Sequence, residues 1–223
     1  MKEIIMYTPP NNSEKSKHPI LIELDGILKK DVQKEKRDEL FLNFYKRNLS
    51  FFDDLENANT NITTSKFIYL KIMYIRILDD KGEYKKGKIV ADQLEVLIGK
   101  LDKNYYEYNT LYIASKKWIA INLGRLKKYR ASNRIFKELL KLDEYKEFYQ
   151  KWIVHNTEWI ISPYAYTLAG LLLLWSFRKV FFSVDIAVPF GFSLLIIILI
   201  GLLLIYIFFS HKIIHYFVVR RCK

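Results

Sequence analysis

Apolar and polar residues recur with a helical period from about Asp31 to His155, and after Glu158 the charged positions almost vanish. Thr63, Thr64 and Ser65 form a capping cluster ahead of the apolar stretch FIYLKIMYIRIL, and Asp79-Asp80-Lys81-Gly82 breaks it. Further helices are predicted over Glu83 to about Gly99, about Tyr106 to Leu123 with a stop at Gly124, Leu126 to Leu142, and Glu144 to His155. Ahead of them, KEIIMY and PILIEL are short apolar runs separated by Pro9-Pro10-Asn11-Asn12. That spacing fits a short β-hairpin or docked extended segments.

The pattern changes character at Trp159. Trp159 to Phe177 is an uncharged run of 19 residues, about 28 Å as a helix, and Ile186 to Ser210 is a second of 25. Arg178, Lys179 and Asp185 mark a turn between them, and Pro189 suits the first turn of the second helix. Trp152, Trp159 and Trp175 bracket the first run like an interfacial belt. Leu194–Leu204 is apolar on every face, which a buried core helix of a domain this size does not need. The fold class expected is therefore mainly α: a helical cytoplasmic domain followed by a two-helix transmembrane hairpin. The divisions are an N-terminal segment 1–30, a basic helical domain 31–158, a hairpin 159–210 (159–177 and 186–210) and a basic tail 211–223.

Flanking charge orients the hairpin. Lys141, Lys146 and Lys151 precede it and Lys212, Arg220, Arg221 and Lys223 follow, against Arg178 and Lys179 in the turn. The positive-inside rule then gives a multi-pass inner-membrane protein with both termini cytoplasmic. The first run is the more polar one, and Ser162, Tyr166, Ala169, Leu173 and Ser176 share one face. With Gly170, the residues Ser162, Tyr166 and Ser176 are read as a pore-lining or helix-contact face. One hairpin cannot enclose a pore, so a pore requires a homo-oligomer, a tetramer or larger.

The formal net charge of +12 sharpens the picture through its placement, whereas the mean hydropathy of −0.03 conceals the split. Between Glu107 and Glu138 there is no acid, yet Lys116, Lys117, Arg125, Lys127, Lys128, Arg130, Arg134 and Lys137 all fall there. Every amphipathic helix has a solvated face, but such a face usually mixes signs. A face of one sign carries a repulsive cost, which an anionic leaflet or a nucleic acid or nucleotide would relieve. The dense run lies 20–50 residues ahead of the spans, which favours the polyanion over the membrane surface. These eight cations are the candidate polyanion-binding residues.

Several classes of chemistry lack a signature. Cys222 is the single cysteine, so no intrachain disulfide forms and an inert thiol outweighs an acylation site. Met1-Lys2-Glu3-Ile4-Ile5-Met6 has no signal-peptide h-region. No GxSxG, Walker or HExxH sequence occurs, and Asp53, Asp54, Asp79 and Asp80 sit at helix ends where turn and capping roles suffice. No catalytic residue, metal site or cofactor is assigned. His211 and His215 stand at i, i+4 without a third ligand, as an interfacial pair.

Two resemblances follow. Residues 82–102 and 128–143 resemble the second helix of a tetratricopeptide repeat: Tyr84/Gly87/Ala91/Leu94 and Tyr129/Ser132/Phe136/Leu139 match at equal spacing. The 45-residue interval departs from the repeat's roughly 34, and the closing proline is missing. The resemblance implies a TPR-like helical array and no function. By architecture and charge, the whole chain resembles the two-helix membrane effectors of bacterial anti-phage systems, in particular the channel-forming effector of the Hailong system. That resemblance implies a homo-oligomeric channel and a single-stranded DNA oligomer or nucleotide ligand on the basic domain. It also implies a partner nucleotidyltransferase that makes the ligand, and membrane disruption as the output. The competing reading is a membrane-anchored TPR-like scaffold that docks a protein partner.

Overall fold

The structure, a computed structural model, describes residues 18–28, 33–142, 145–182 and 190–221, and the regular elements among them are helices. The chain divides into two compact units, with the boundary between Asn122 and Leu123.

The first unit holds α1 (Pro19–Leu28), α2 (Lys34–Arg47), α3 (Leu49–Asp53), α4 (Asn61–Asp80), α5 (Tyr84–Lys100) and most of α6 (Tyr108–Arg125). PILIEL, expected as a strand or extended segment, is helix α1. Pro19 occupies the first helical position, where its missing N–H is not needed, and His18 Nδ1 accepts from the Ile20 N–H at 3.3 Å. Leu21, Leu24 and Ile27 then bury one face at three-residue spacing. KEIIMY lies outside the described residues.

Helix α4 is the hub. Thr60 caps it three positions ahead of the predicted cluster: Thr60 Oγ1 accepts from the Thr63 N–H at 3.2 Å, and Thr63 Oγ1 accepts from the Thr60 N–H at 3.0 Å. The helix ends in the predicted breaker. Gly82 takes φ 72°, and the Glu83 N–H returns to the Leu78 carbonyl at 2.8 Å. Burial surrounds α4 rather than favouring one stripe, so Lys66 and Lys71 are buried beside Phe67, Ile68, Leu70 and Ile75. A buried ammonium requires an anion. Lys66 meets Asp25 of α1 at 2.5 Å, Lys71 meets Asp53 of α3 at 2.9 Å, and Arg76 pairs with Asp38 of α2. Three cations at five-residue intervals thus each fasten one of the elements before α4. Around them Phe52 packs on Phe44, Tyr45 and Phe67 with ring centroids 5.2 to 5.8 Å apart.

In the second unit the last turn of α6 leads to α7 (Tyr129–Leu142), α8 (Lys146–Phe182) and α9 (Phe190–Arg221). Helix α6 ends like α4, with the Lys128 N–H bonded to the Leu123 carbonyl at 2.8 Å and the Lys127 N–H to the Gly124 carbonyl at 2.9 Å. Here the left-handed position belongs to Lys127, φ 62°, where α4 uses glycine.

Helix α7 packs on α8, and α8 on α9. Phe136 lies against Tyr149 and Trp152 at 5.9 and 5.7 Å, while Asn156 Nδ2 donates to Ser132 Oγ and Asn133 Oδ1, both at 2.9 Å.

The expected break near Glu158, between a fifth helix and the first apolar run, is absent: Lys146 to Phe182 is one helix. Charge changes at Glu158, but the capping-type residues there are otherwise engaged: Asn156 donates to Ser132 and Asn133, and Thr157 Oγ1 donates to the Ile153 carbonyl within the helix. Pro163 is accommodated inside α8, where Ser162 Oγ donates to the Glu158 carbonyl at 2.6 Å and Thr167 Oγ1 to the Pro163 carbonyl at 2.8 Å. The runs 159–177 and 186–210 fall largely in α8 and α9, but residues 183–189, and the side chains of 175–182 and 190–197, lie outside the described residues. Among the described residues no helix is long and apolar enough to cross a membrane.

Candidate functional site

The eight candidate cations do not form one set. Lys116 and Lys117 belong to the first unit and are half-buried. Lys116 lies 3.6 Å from Glu95 of α5, with its ammonium 5.8 Å from the centre of the Tyr112 ring. The acid-free stretch of sequence is therefore not acid-free in space, because the neighbouring helix supplies Glu95. Other cations of this unit are similarly engaged: Arg47 with Glu23, Lys86 with Glu83 and Lys88 with Asp92.

Arg125, Lys127, Lys128, Arg130, Arg134 and Lys137 belong to the second unit, and all six are exposed. Among the described residues, Lys127, Lys128, Arg130, Arg134 and Lys137 make no ion pair. Arg130, Arg134, Lys137 and Lys141 recur at intervals of four, three and four on α7, so they share a face about 16 Å long. Ser132, Ile135, Phe136 and Leu139 bury the opposite side and fix that face outward. Three like-charged neighbours at these spacings cost about 1 kcal/mol together. A lysine in the left-handed region at Lys127 costs about another 1 kcal/mol. The cations thus sit where charge repulsion and backbone conformation both oppose them.

Aromatic side chains border the turn that joins α6 to α7. The Arg125 guanidinium lies 5.4 Å from the centre of the Trp152 ring, and Tyr129 stacks on Trp159 with centroids 6.3 Å apart and planes 17° apart. His155 stands edge-on to both tryptophans, at 6.1 and 6.3 Å. Trp152, His155 and Trp159 share one face of α8 at helical spacing, and the antiparallel return of α7 brings Tyr129 onto that face.

On α8, Ser162 is half-buried with its hydroxyl turned back on its own helix, and Tyr166 is 62% exposed in the single chain where 53% of Trp159 is. A Cβ at Gly170 would meet nothing within 4 Å. Ser176 lies in α8, with its side chain outside the described residues. The described members of this face therefore leave room beside them rather than forming a tight seam with α9. Ile161, Tyr164, Leu168 and Leu171 form an exposed apolar stripe on the same helix.

The sequence reading missed a second polar centre, in the first unit. Lys71 has no exposed side-chain surface, and its ammonium donates to Tyr45 Oη at 2.8 Å, Asp53 Oδ1 at 2.9 Å and Gln93 Oε1 at 2.6 Å. All three donors are satisfied. Burial lowers the Lys71 pKa, opposed by the hydrogen bond and charge of Asp53; burial raises that of Tyr45. The Asp53-Asp54 doublet accordingly splits its duties: Asp54 caps the next turn by accepting from the Glu56 N–H at 3.0 Å, and Asp53 is the counter-ion of Lys71. Fully partnered inside a core, this cluster does structural work. Among the described residues no group of three His, Cys, Asp or Glu is placed to hold a metal ion.

No family model, curated protein or solved structure matches the chain.

Proposed function

We propose that this chain is a membrane effector. In this reading α8 and α9 form a hairpin across the inner membrane, and several copies assemble into an ion-conducting pore. The cations of the α6–α7 turn and α7 hold a polyanion, a single-stranded DNA oligomer or nucleotide, that controls the assembly. Anti-phage defence by membrane disruption is the biological output this plan serves, with a partner nucleotidyltransferase supplying the ligand.

The observation that carries the reading is the row of cations on the turn and α7. Lys127, Lys128, Arg130, Arg134 and Lys137 follow one another closely, all exposed and without an ion pair among the described residues, whereas Lys66, Lys71, Arg76, Lys86, Lys88 and Lys116 of the first unit are each held by a carboxylate. A bound polyanion relieves the repulsion along that row. The hairpin rests on the uncharged runs of 19 and 25 residues in the full sequence, with the exposed apolar stripe of α8 facing lipid.

Detergent-purified protein is expected to bind short single-stranded DNA with affinity that falls steeply between 50 and 200 mM salt, those two concentrations being the span over which about six phosphate contacts to a single strand lose roughly three-hundredfold. Salt-insensitive binding, or none, removes the ligand. The assembly is tested by size in detergent and by a membrane-potential dye in expressing cells. A monomer, or full polarisation at high expression, removes the pore.

A second reading, a TPR-like membrane-anchored scaffold, draws on one recurring contact. The small residue of each matched helix meets an asparagine of the helix that follows: Gly87 meets Asn122, and Ser132 meets Asn156. That reading predicts no ion flux.

A further inference from the structure

The turn between α6 and α7 sits at a particular height along α8. Tyr129 is 30 positions ahead of Trp159 in sequence, yet the two rings stack. Trp159 is also the residue at which the uncharged run of α8 begins. Because α8 passes this point without interruption, the turn lies against the same rod that carries the apolar run. Sequence distance had separated the dense positive charge from the membrane; folding brings part of it back.

The cations then fall into two groups by height. Lys127, Lys128 and Arg130 are level with Trp159. Arg134, Lys137 and Lys141 recede from it toward the start of α8, since α7 ends at Leu142 and α8 begins at Lys146. The turn has the composition of a membrane interface. Aromatic rings with one apolar and one polar edge, Tyr129 and the half-exposed Trp159, adjoin long flexible cations. Lys127 adds an independent sign, because a left-handed position that favours glycine carries a long, exposed cation instead.

We propose that this turn is a binding site for the phosphate of anionic phospholipid headgroups, formed by Lys127, Lys128 and Arg130 beside Tyr129 and Trp159. The site rests on the hairpin reading and narrows its polyanion surface: the turn cations go to lipid, and the soluble polyanion keeps the α7 stripe of Arg134, Lys137 and Lys141. An anionic leaflet attracts each nearby cation by about 1 kcal/mol, about fivefold in affinity.

The test uses the full-length chain in mild detergent, with phosphatidylglycerol and phosphatidylcholine titrated separately and bound lipid counted by native mass spectrometry. The wild type is expected to prefer phosphatidylglycerol by at least tenfold. The variant Lys127→Gly/Lys128→Gln/Arg130→Gln is expected to lose that preference by tenfold or more. Lys127→Gly relieves the left-handed backbone, so a loss cannot be put down to added strain, and unchanged helical circular dichroism verifies the fold. Arg134→Gln/Lys137→Gln is expected to leave the lipid preference within twofold while weakening DNA binding.

An unchanged preference in the turn variant overturns the proposal. So does an equal loss in the α7 variant, or a turn variant that loses DNA binding alone. Carbonate extraction of membranes separates the two layers of argument. If the wild type is released, the hairpin fails and the lipid site with it. If it stays with the membrane but shows no preference for phosphatidylglycerol, the lipid site alone fails.

Discussion

Replacing Asp53 with asparagine isolates the charge that supports a buried lysine. Asp53→Asn keeps the shape and an acceptor but leaves the Lys71 ammonium, wholly buried, among neutral partners only, the new amide oxygen with Tyr45 and Gln93. Removing one partner of a fully buried pair costs roughly 3–5 kcal/mol. Asp53 is 45% exposed, so water already screens it and the lower figure for a charged hydrogen bond, about 2 kcal/mol, applies. For a chain of this length that lowers the thermal midpoint by about 4–8 °C. Lys71→Met is expected to cost less, about 1 kcal/mol, because the aspartate left behind is half-solvated while the methionine fills the buried volume.

The pH dependence gives a sharper signature. Burial lowers the Lys71 pKa and Asp53 pushes it back up, so Asp53→Asn lowers it further. Between that folded value and the unfolded value near 10.4, the unfolded chain holds more protons, and stability rises with pH. The window opens at lower pH in the variant than in the wild type, so the deficit of Asp53→Asn narrows as pH climbs toward the unfolded value. Thermal melts of the full chain followed by circular dichroism across that range provide the measurement. A deficit that is constant or grows with pH, or a larger loss in Lys71→Met than in Asp53→Asn, refutes the reasoning.

Lys127→Gly is expected to stabilise the fold by about 0.5–1 kcal/mol by relieving its positive φ, and denaturant melts read the shift in midpoint. Gly87→Ala is expected to destabilise by about 1–2 kcal/mol. Its new methyl collides with the Asn122 amide, which must give up its 3.0 Å bond to the Tyr84 carbonyl. Gly99→Ala, with open space around it, is the control and is expected to gain up to about 1 kcal/mol. Gly170→Ala adds a Cβ with nothing within 4 Å among the described residues, so it is expected to leave the monomer's helicity unchanged while shrinking the assembly in detergent. An unaltered assembly size removes Gly170 from the contact face.

Local signals were legible where one residue does the work alone. Gly82 announced the end of α4, and the spacing of Tyr129, Ser132, Phe136 and Leu139 announced α7, which starts at Tyr129 rather than at the expected Leu126. Features made by residues far apart in the chain were not legible. Lys71 finds Tyr45, Asp53 and Gln93 at separations of 26, 18 and 22, which leave no period to read. The same holds for Lys116, whose acid lies on another helix, and for the stacking of Tyr129 on Trp159. The helix end expected at His155 fails for a different reason: a change of solvent preference is not a change of backbone, and α8 keeps its hydrogen-bond ladder through it.

That unbroken helix is also a lever. At 1.5 Å per residue Lys146 to Phe182 reaches about 55 Å, of which about 34 Å lies beyond Trp159, so tilting α8 by about 5° about that residue sweeps its far end through about 3 Å. The rod is softest at the turn before Pro163, where the Trp159 carbonyl loses its helical donor. In the proposed reading a polyanion held by α7 acts on the long arm of α8, with its fulcrum beside the stacked tryptophan.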